Sequence, residues 1–408
     1  MVWFHAWPIA KDDYSAEALP PLTALLHGQI SRFLQTAPSY GPSLELRAPF
    51  ALIGSLAHGS ELLVYRLGTL PCVLALAGLG VWLAARLRAA GRGWLAVAVT
   101  LALCIASPIT YFALAYGHPE EVLGATLCAV AVLAAIRGHA NWAGLLLGLA
   151  IANKEWGLLA IGPVLLALPR GRGRALVIAG AVTALALGPI ALSSGGVKAA
   201  SSRITLSDTG ATFYPQQIWW FFGSVGHWLP SMRGQLDPGF RVPPTWLGGR
   251  SHFLIVWLGL PLTLLAAYRR TRREDALALL ALLLLLRCML DPWDLIYYTI
   301  PFIVALLCWE AVTLRRAPLG ALAATLATWL IFKILPPALS EDGKALVFIV
   351  PSVLAFAALS WVVYFRGARA PRAQSTISSS FANWLSRRAP SSPTTTRSSI
   401  RTPSSPGR

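Results

Sequence analysis

Four short stretches gather ionisable and aromatic side chains in a sequence that has few of the former. The first is KDDYSAE, residues 11–17, where Asp12 and Asp13 stand side by side. Either carboxylate could serve as a general base if it reaches the proton to be removed. The plain alternative is a solvated polar loop. The second is YGHPEE, residues 116–121. Pro119 suits the first turn of a helix, and Glu120 and Glu121 suit the positive end of its dipole, which is a sufficient structural role. His118 beside them could hold an acceptor hydroxyl or a divalent metal, although HxEE alone is a weak metal signature, and no cofactor is expected. The third is NKEW, residues 153–156. Lys154 and Glu155 either neutralise each other or present a cation to the phosphate of a lipid-borne substrate. The fourth is RCMLDPWDLIYY, residues 287–298, with Arg287, Asp291, Asp294, Trp293, Tyr297 and Tyr298. An interfacial aromatic belt accounts for the rings but not for Arg287, whose guanidinium suits a bidentate grip on phosphate. A longer polar stretch adds Arg203, Asp208, Tyr214, Gln216, Gln217, Trp219, Trp220 and His227, a mixture that fits a carbohydrate site and a lipid headgroup region equally.

The elements that must position these groups are membrane helices. Of 408 residues, 56% are hydrophobic and 12% charged, and the mean hydropathy is +0.60. Soluble domains carry about twice that charged fraction. The apolar residues form unbroken blocks, such as Val73–Ala85, Leu95–Ile105 and Ala276–Leu286, that are hydrophobic on every face. Such helices must be surrounded by lipid or by each other. A soluble enzyme, a secreted disulfide scaffold and a disordered chain are thereby excluded, and the fold class is an all-α polytopic membrane protein. The formal net charge of +17 does not point to nucleic acid, because the arginines sit in short loops between apolar blocks. Loops of that kind stay cytoplasmic during insertion. The five cysteines show no CxxC or metal spacing and carry no functional signal.

Reading the blocks between basic loops gives an alternating topology. Residues 61–85 run inward, 94–111 outward, 121–136 inward and 175–192 outward. After an external loop at 193–250, residues 253–268 run inward, 276–290 outward, 295–314 inward, 319–335 outward and 345–365 back to the cytoplasm. Residues 141–168 must leave and return, yet NKEW interrupts them midway. Each arm of roughly 12–14 residues spans only about 20 Å as a helix, too short for a hydrocarbon core of about 30 Å. A re-entrant or short-armed hairpin is therefore expected, its tip stopping within the outer half of the membrane and its irregular backbone buried in protein or facing a watery cavity. Residues 1–59 must lie outside as an external N-terminal loop region. An outward start with no preceding span suggests a first helix that is missing or truncated, with Met1–Pro8 as its last turns. Residues 60–365 form the transmembrane domain. Residues 366–408, rich in Ser, Thr, Pro and Arg, form a disordered basic cytoplasmic tail.

An acidic residue just after a first membrane helix, a long external loop, a short-armed intramembrane hairpin and a basic inner side resemble the GT-C fold glycosyltransferases. More specifically the chain resembles the bacterial polyprenol-phosphate-mannose-dependent mannosyltransferase-like family. The stretches that carry the likeness are DDYSAEALPPLTALLHGQ (12–29), GHPEE (117–121), GLLLGLAIANKEW (144–156) and LDPWDLIYYTIP (290–301). The resemblance implies a GT-C-like bundle of about 9–11 transmembrane or re-entrant helices. It implies transfer of a sugar, mannose above all, from a polyprenyl-phosphate donor to a lipid or cell-envelope acceptor on the extracytoplasmic face of the plasma membrane. The base would fall on Asp13 or Asp12, and the donor phosphate on Lys154, Arg287 or Arg203. His118, Glu120, Glu155, Asp291, Tyr297 and Trp220 would serve the sugar or the acceptor. His118 departs from the family, which often has Gln there. A transporter or lipid flippase, with the same charged residues lining a path, is the competing class, and a non-catalytic assembly protein a third.

Overall fold

The computed structural model describes residues 13–193, 215–225, 241, 242, 244, 247, 251–269, 271–291 and 295–365. They form a helical bundle, with β-structure confined to an antiparallel pairing of β1 (Ser224–Val225) with β2 (Arg241–Val242). Among the described residues six helices are long and apolar enough to cross a membrane, and four shorter apolar helices accompany them. The protein is an all-α polytopic membrane protein.

The N-terminal region, expected as a loop, is helical where it is described. Tyr14–Ala18 makes a π-helical turn that runs into α1 (Leu19–Leu26), followed by α2 (Ile30–Thr36) and α3 (Gly41–Leu56). The reason lies in the apolar residues of this semi-polar stretch: Tyr14, Ala18, Leu22, Phe33 and Leu44 close a second core with Tyr65 and Ile190. α4 (Glu61–Ala89) starts at Ser60, whose hydroxyl accepts the Leu63 N–H, with Glu61 in its first turn and Arg86 and Arg88 in its last. Those charges match the two ends of the helix dipole. The outward helix expected at 94–111 is instead two: α5 (Trp94–Ile105) stops at Ala106 and Ser107, and α6 (Pro108–Ala115) restarts on Pro108. A proline has no N–H to donate backwards, so it opens a helix more readily than it continues one. α7 (Pro119–Ile136) follows.

The hairpin has the expected break. α8 (Ala140–Asn153) ends at Lys154 in extended backbone, a 3-10 turn covers Glu155–Ala160, and α9 (Ile161–Ala167) descends. α10 (Arg172–Leu192) packs along α8, where Gly144 and Gly148 leave no room for a Cβ against the carbonyls of Ala175 and Ala179. Small residues four apart let membrane helices approach this closely. After β2 come α11 (Ser251–Tyr268) and α12 (Ala276–Leu290). Every residue of α12 is buried, so this helix is wrapped by others and has no lipid face. α13 (Ile300–Cys308), α14 (Leu319–Trp329) and α15 (Glu341–Phe365) complete the bundle.

The arginine-rich connections share one end of the bundle. The Arg137 guanidinium lies 4.5 Å over the Trp82 ring, Arg269 lies 5.2 Å over Phe365, and Arg86 and Arg315 line one cavity of about 150 Å³. The acidic stretches picked out in the sequence come together at helix ends elsewhere: the start of α7, the tip after α8 and the end of α12.

Candidate active site

The site is assembled around the first turn of α7. Gly117, at φ +89°, turns the chain from α6 into α7 in a conformation that only glycine adopts freely. A Cβ there would meet the Tyr14 Cβ at 2.8 Å. That close approach lays Tyr14, buried against Tyr65, across the turn and brings Asp13 onto His118. The His118 Nε2 is 3.2 Å from Asp13 Oδ2, and Nδ1 is 2.7 Å from Glu120 Oε1. Ionised carboxylates only accept, so both ring nitrogens must donate and the imidazole is a cation. Burial alone would push its pKa down. The Glu120 charge and the hydrogen bonds to Asp13 and Glu120 outweigh burial and raise it to about 9. The ring stacks on Tyr297, with centroids 4.8 Å apart.

The hairpin tip reaches α7 from the other side. Gly124 makes the approach possible, since a Cβ there would lie 2.8 Å from the Asn153 amide and 3.0 Å from the Trp156 ring. The Asn153 amide donates to the Glu120 carbonyl at 2.8 Å, and the Trp156 N–H donates to Glu121 Oε1 at 3.2 Å. The break at Lys154 turns its ammonium between the glutamates, 3.5 Å from Glu120 Oε1 and 3.8 Å from Glu121 Oε1, and 4.5 Å over the Tyr40 ring. From the end of α12, Arg287 grips both Glu121 oxygens at 3.2 Å. Its Nε is 4.0 Å from Asp291, and its guanidinium covers Tyr298 at 4.4 Å and Trp156 at 5.1 Å. Arg47 of α3 stands 3.8 Å from the second Glu120 oxygen.

Four cations (Arg47, His118, Lys154 and Arg287) thus face four carboxylates (Asp13, Glu120, Glu121 and Asp291) in one connected network. Charges at membrane depth persist only when paired in this way. Glu120 and Glu121 are fully buried, whereas the Asp13 side chain is 44% exposed and is the most open carboxylate with a partner in the network. The arrangement can hold a carboxylate in place on one oxygen and leave the other to a hydroxyl group.

The structure brings Asp13, His118, Glu120, Lys154, Arg287, Asp291 and Tyr297 together. Glu155 is exposed on the tip, without a hydrogen bond or ion pair among the described residues. Trp220 faces the start of α15 instead: its N–H donates to Asp342 at 2.7 Å, and Arg241 covers its ring at 4.4 Å. Asp12, Arg203 and the 366–408 tail lie outside the described residues, as do Asp208, Tyr214, His227, Trp293 and Asp294. Among the described residues no group of three or more His, Cys, Asp or Glu side chains is placed to hold a metal. Sequence reasoning missed Arg47 and Tyr40 and gave Glu121 only a dipole role. Arg47 sits in a half-apolar stretch where an arginine looks like a surface residue; only tertiary packing shows it buried. Glu121 had a signal in its place one residue after Glu120 at a membrane mouth.

The sequence model for glycosyltransferase family 87 matches residues 40–292, well over half of the chain. The chain belongs to glycosyltransferase family 87. A comparison with curated proteins gives no match. The matched region of this family 87 member holds Arg47, His118, Glu120, Glu121, Lys154, Arg287 and Asp291, while Asp13 precedes it and Tyr297 follows it. The protein is therefore a membrane glycosyltransferase, working on a sugar donor and an acceptor in the setting of a lipid bilayer.

Proposed function

We propose that this family 87 enzyme transfers a hexosyl group, mannose in the first instance, from a polyprenyl-phosphate donor to a lipid or cell-envelope acceptor, with inversion. Asp13 is the general base. The observation that supports this reading is the convergence of Asp13, His118, Lys154 and Arg287, from four separate parts of the chain, on one cluster at helix ends. The positive-inside rule assigns the arginine-rich end to the cytoplasm and the cluster to the extracytoplasmic side of the plasma membrane, with the C-terminus cytoplasmic. A donor already carried by lipid suits a site at that depth.

In the reaction, the Asp13 oxygen turned away from His118 takes the proton of the acceptor hydroxyl as its oxygen attacks the anomeric carbon. The bond between that carbon and the phosphate oxygen breaks, and its electron pair leaves with the polyprenyl phosphate. A single displacement inverts the centre. The phosphate gains one negative charge as Asp13 loses one, so the charge of the whole site is unchanged through the step. In this reading Lys154, whose side chain is 13% exposed, faces the donor phosphate from the cluster as the bond breaks, and Arg287 holds Glu121 and the hairpin tip in place. Fixed donors of this kind act without reorganising when charge develops on the leaving oxygen.

The test is a donor panel with the purified protein in lipid nanodiscs: polyprenyl-phosphate mannose, the glucose and arabinose analogues, and the corresponding nucleotide sugars. Transfer from a lipid-linked donor with inverted product configuration supports the reading. Transfer from nucleotide sugars alone, or with retained configuration, overturns it.

A further inference from the structure

Every cation of the cluster already faces a carboxylate, so the cluster orients a phosphate but offers it no net charge. Lys333 is different. It belongs to the turn Leu330–Ile334 that continues α14, within the apolar run LIFKIL. A lysine near the end of a membrane helix ordinarily stretches its stem toward the headgroups. Here the ammonium donates to the Tyr116 phenol at 3.1 Å and lies 4.2 Å from the Phe112 ring centre and 5.4 Å from that of Tyr116. Among the described residues no carboxylate lies within ion-pair distance of it. The two rings attract the cation through their faces without neutralising it. The phenol spends a lone pair on Lys333 and donates its own hydrogen to no acceptor among the described residues.

A chain of aromatic rings links Lys333 to the chemistry. The Tyr116 ring is 6.0 Å from Tyr297, and Tyr297 carries His118 at 4.8 Å, so two ring contacts separate the ammonium from the His118–Asp13 pair. Beside it, Trp329, Leu330 and Ile334 are exposed, the apolar surface that a membrane helix turns to lipid. That face is the side from which an anion carried on a lipid chain would approach Lys333.

We propose that Lys333, with the Tyr116 hydroxyl, binds the phosphate of the lipid-linked donor at the bilayer-side mouth of the site. The inference rests on the lipid-phosphate donor proposed above. The phosphate supplies the counter-charge that Lys333 lacks, the phenolic hydrogen finds an acceptor, and the Phe112 face packs on the first carbons of the lipid.

The test separates this inference from the reading it rests on. Full-length protein in nanodiscs is titrated with polyprenyl monophosphate and, separately, with the same polyprenol lacking phosphate. Wild type and Lys344→Met, which alters an ion pair at the start of α15, should prefer the phosphate lipid by at least about tenfold, as a charge-assisted hydrogen bond would give. Lys333→Met and Lys333→Gln should lose that preference, and Lys333→Arg should keep most of it, with thermal unfolding unchanged across the series. A wild-type preference that survives in both Lys333→Met and Lys333→Gln overturns the inference and leaves the donor reading standing. No preference in the wild type overturns the donor reading itself.

Discussion

His118 has a carboxylate on each ring nitrogen, and its charge holds Asp13 and Glu120 in register. Its pKa is raised from 6.5 to about 9, so the stabilisation it gives is complete below pH 6.5 and is lost as the pH rises through about 9. Thermal unfolding of the wild type and of His118→Gln in detergent should therefore differ most at pH 6 and converge above about pH 9. A gap that stays constant over that range would show that the imidazole is uncharged in the folded protein. At this scale the sequence drew attention to several of the ionisable residues that meet in the cluster. His118 was singled out by the carboxylates beside it, Lys154 by the polar break in its hairpin and Arg287 because an aromatic belt leaves it unexplained, and each has partners within the cluster. It was a poor guide for Arg47, because nothing in a single stretch tells a solvated arginine from one buried by packing. Lys333 carried the same intramembrane signal as Lys154 but sits in a run with no other polar residue to draw attention to it.

At the cluster the elements are joined by ion pairs as well as by apolar packing. Arg287 ties the end of α12 to the start of α7 through Glu121. Removing one partner of a buried pair leaves the other charge uncompensated, at a cost of about 3–5 kcal/mol. Arg287→Met should thus lower the unfolding temperature or the folded yield sharply, and Arg287→Met with Glu121→Gln should recover more than half of the loss. Equal loss in single and double variants, measured by detergent-based unfolding, would mean that Arg287 stabilises through its packing on Tyr298 and Trp156. Gly124 makes a separate prediction. A Val there collides with Asn153 and Trp156, shifts the hairpin tip and should reduce transfer by at least about tenfold, since catalysis tolerates displacements of about 1 Å poorly. Wild-type turnover in Gly124→Val would show that the tip does not position the reacting groups. The break in the hairpin was legible because the polar NKEW interrupts an apolar block, and α8 ends there at Lys154. The helical N-terminal region was not, because its prolines and modest hydropathy resemble a loop until Tyr65 and Ile190, far along the chain, complete its core.

Across the whole molecule the basic connections gather at one end, and the proposed orientation puts that end in the cytoplasm. The five native cysteines are buried, so single introduced ones report sidedness cleanly. A membrane-impermeant maleimide should label Glu155→Cys in intact cells and Arg170→Cys only after permeabilisation; the reverse pattern would invert the topology. The alternation of apolar blocks with arginine loops made most of the bundle readable in advance. What it left open was which charged residues meet, since helices adjacent in sequence are not always adjacent in space: α7 takes its partners from Asp13, the hairpin and α12. The most direct measurement is the single-turnover rate of Asp13→Asn against wild type with donor and acceptor saturating. Loss of at least about a hundredfold in the chemical step, with donor binding unchanged, is the expected result for a general base. A rate within a few fold of wild type would contradict it and remove Asp13 from the chemistry.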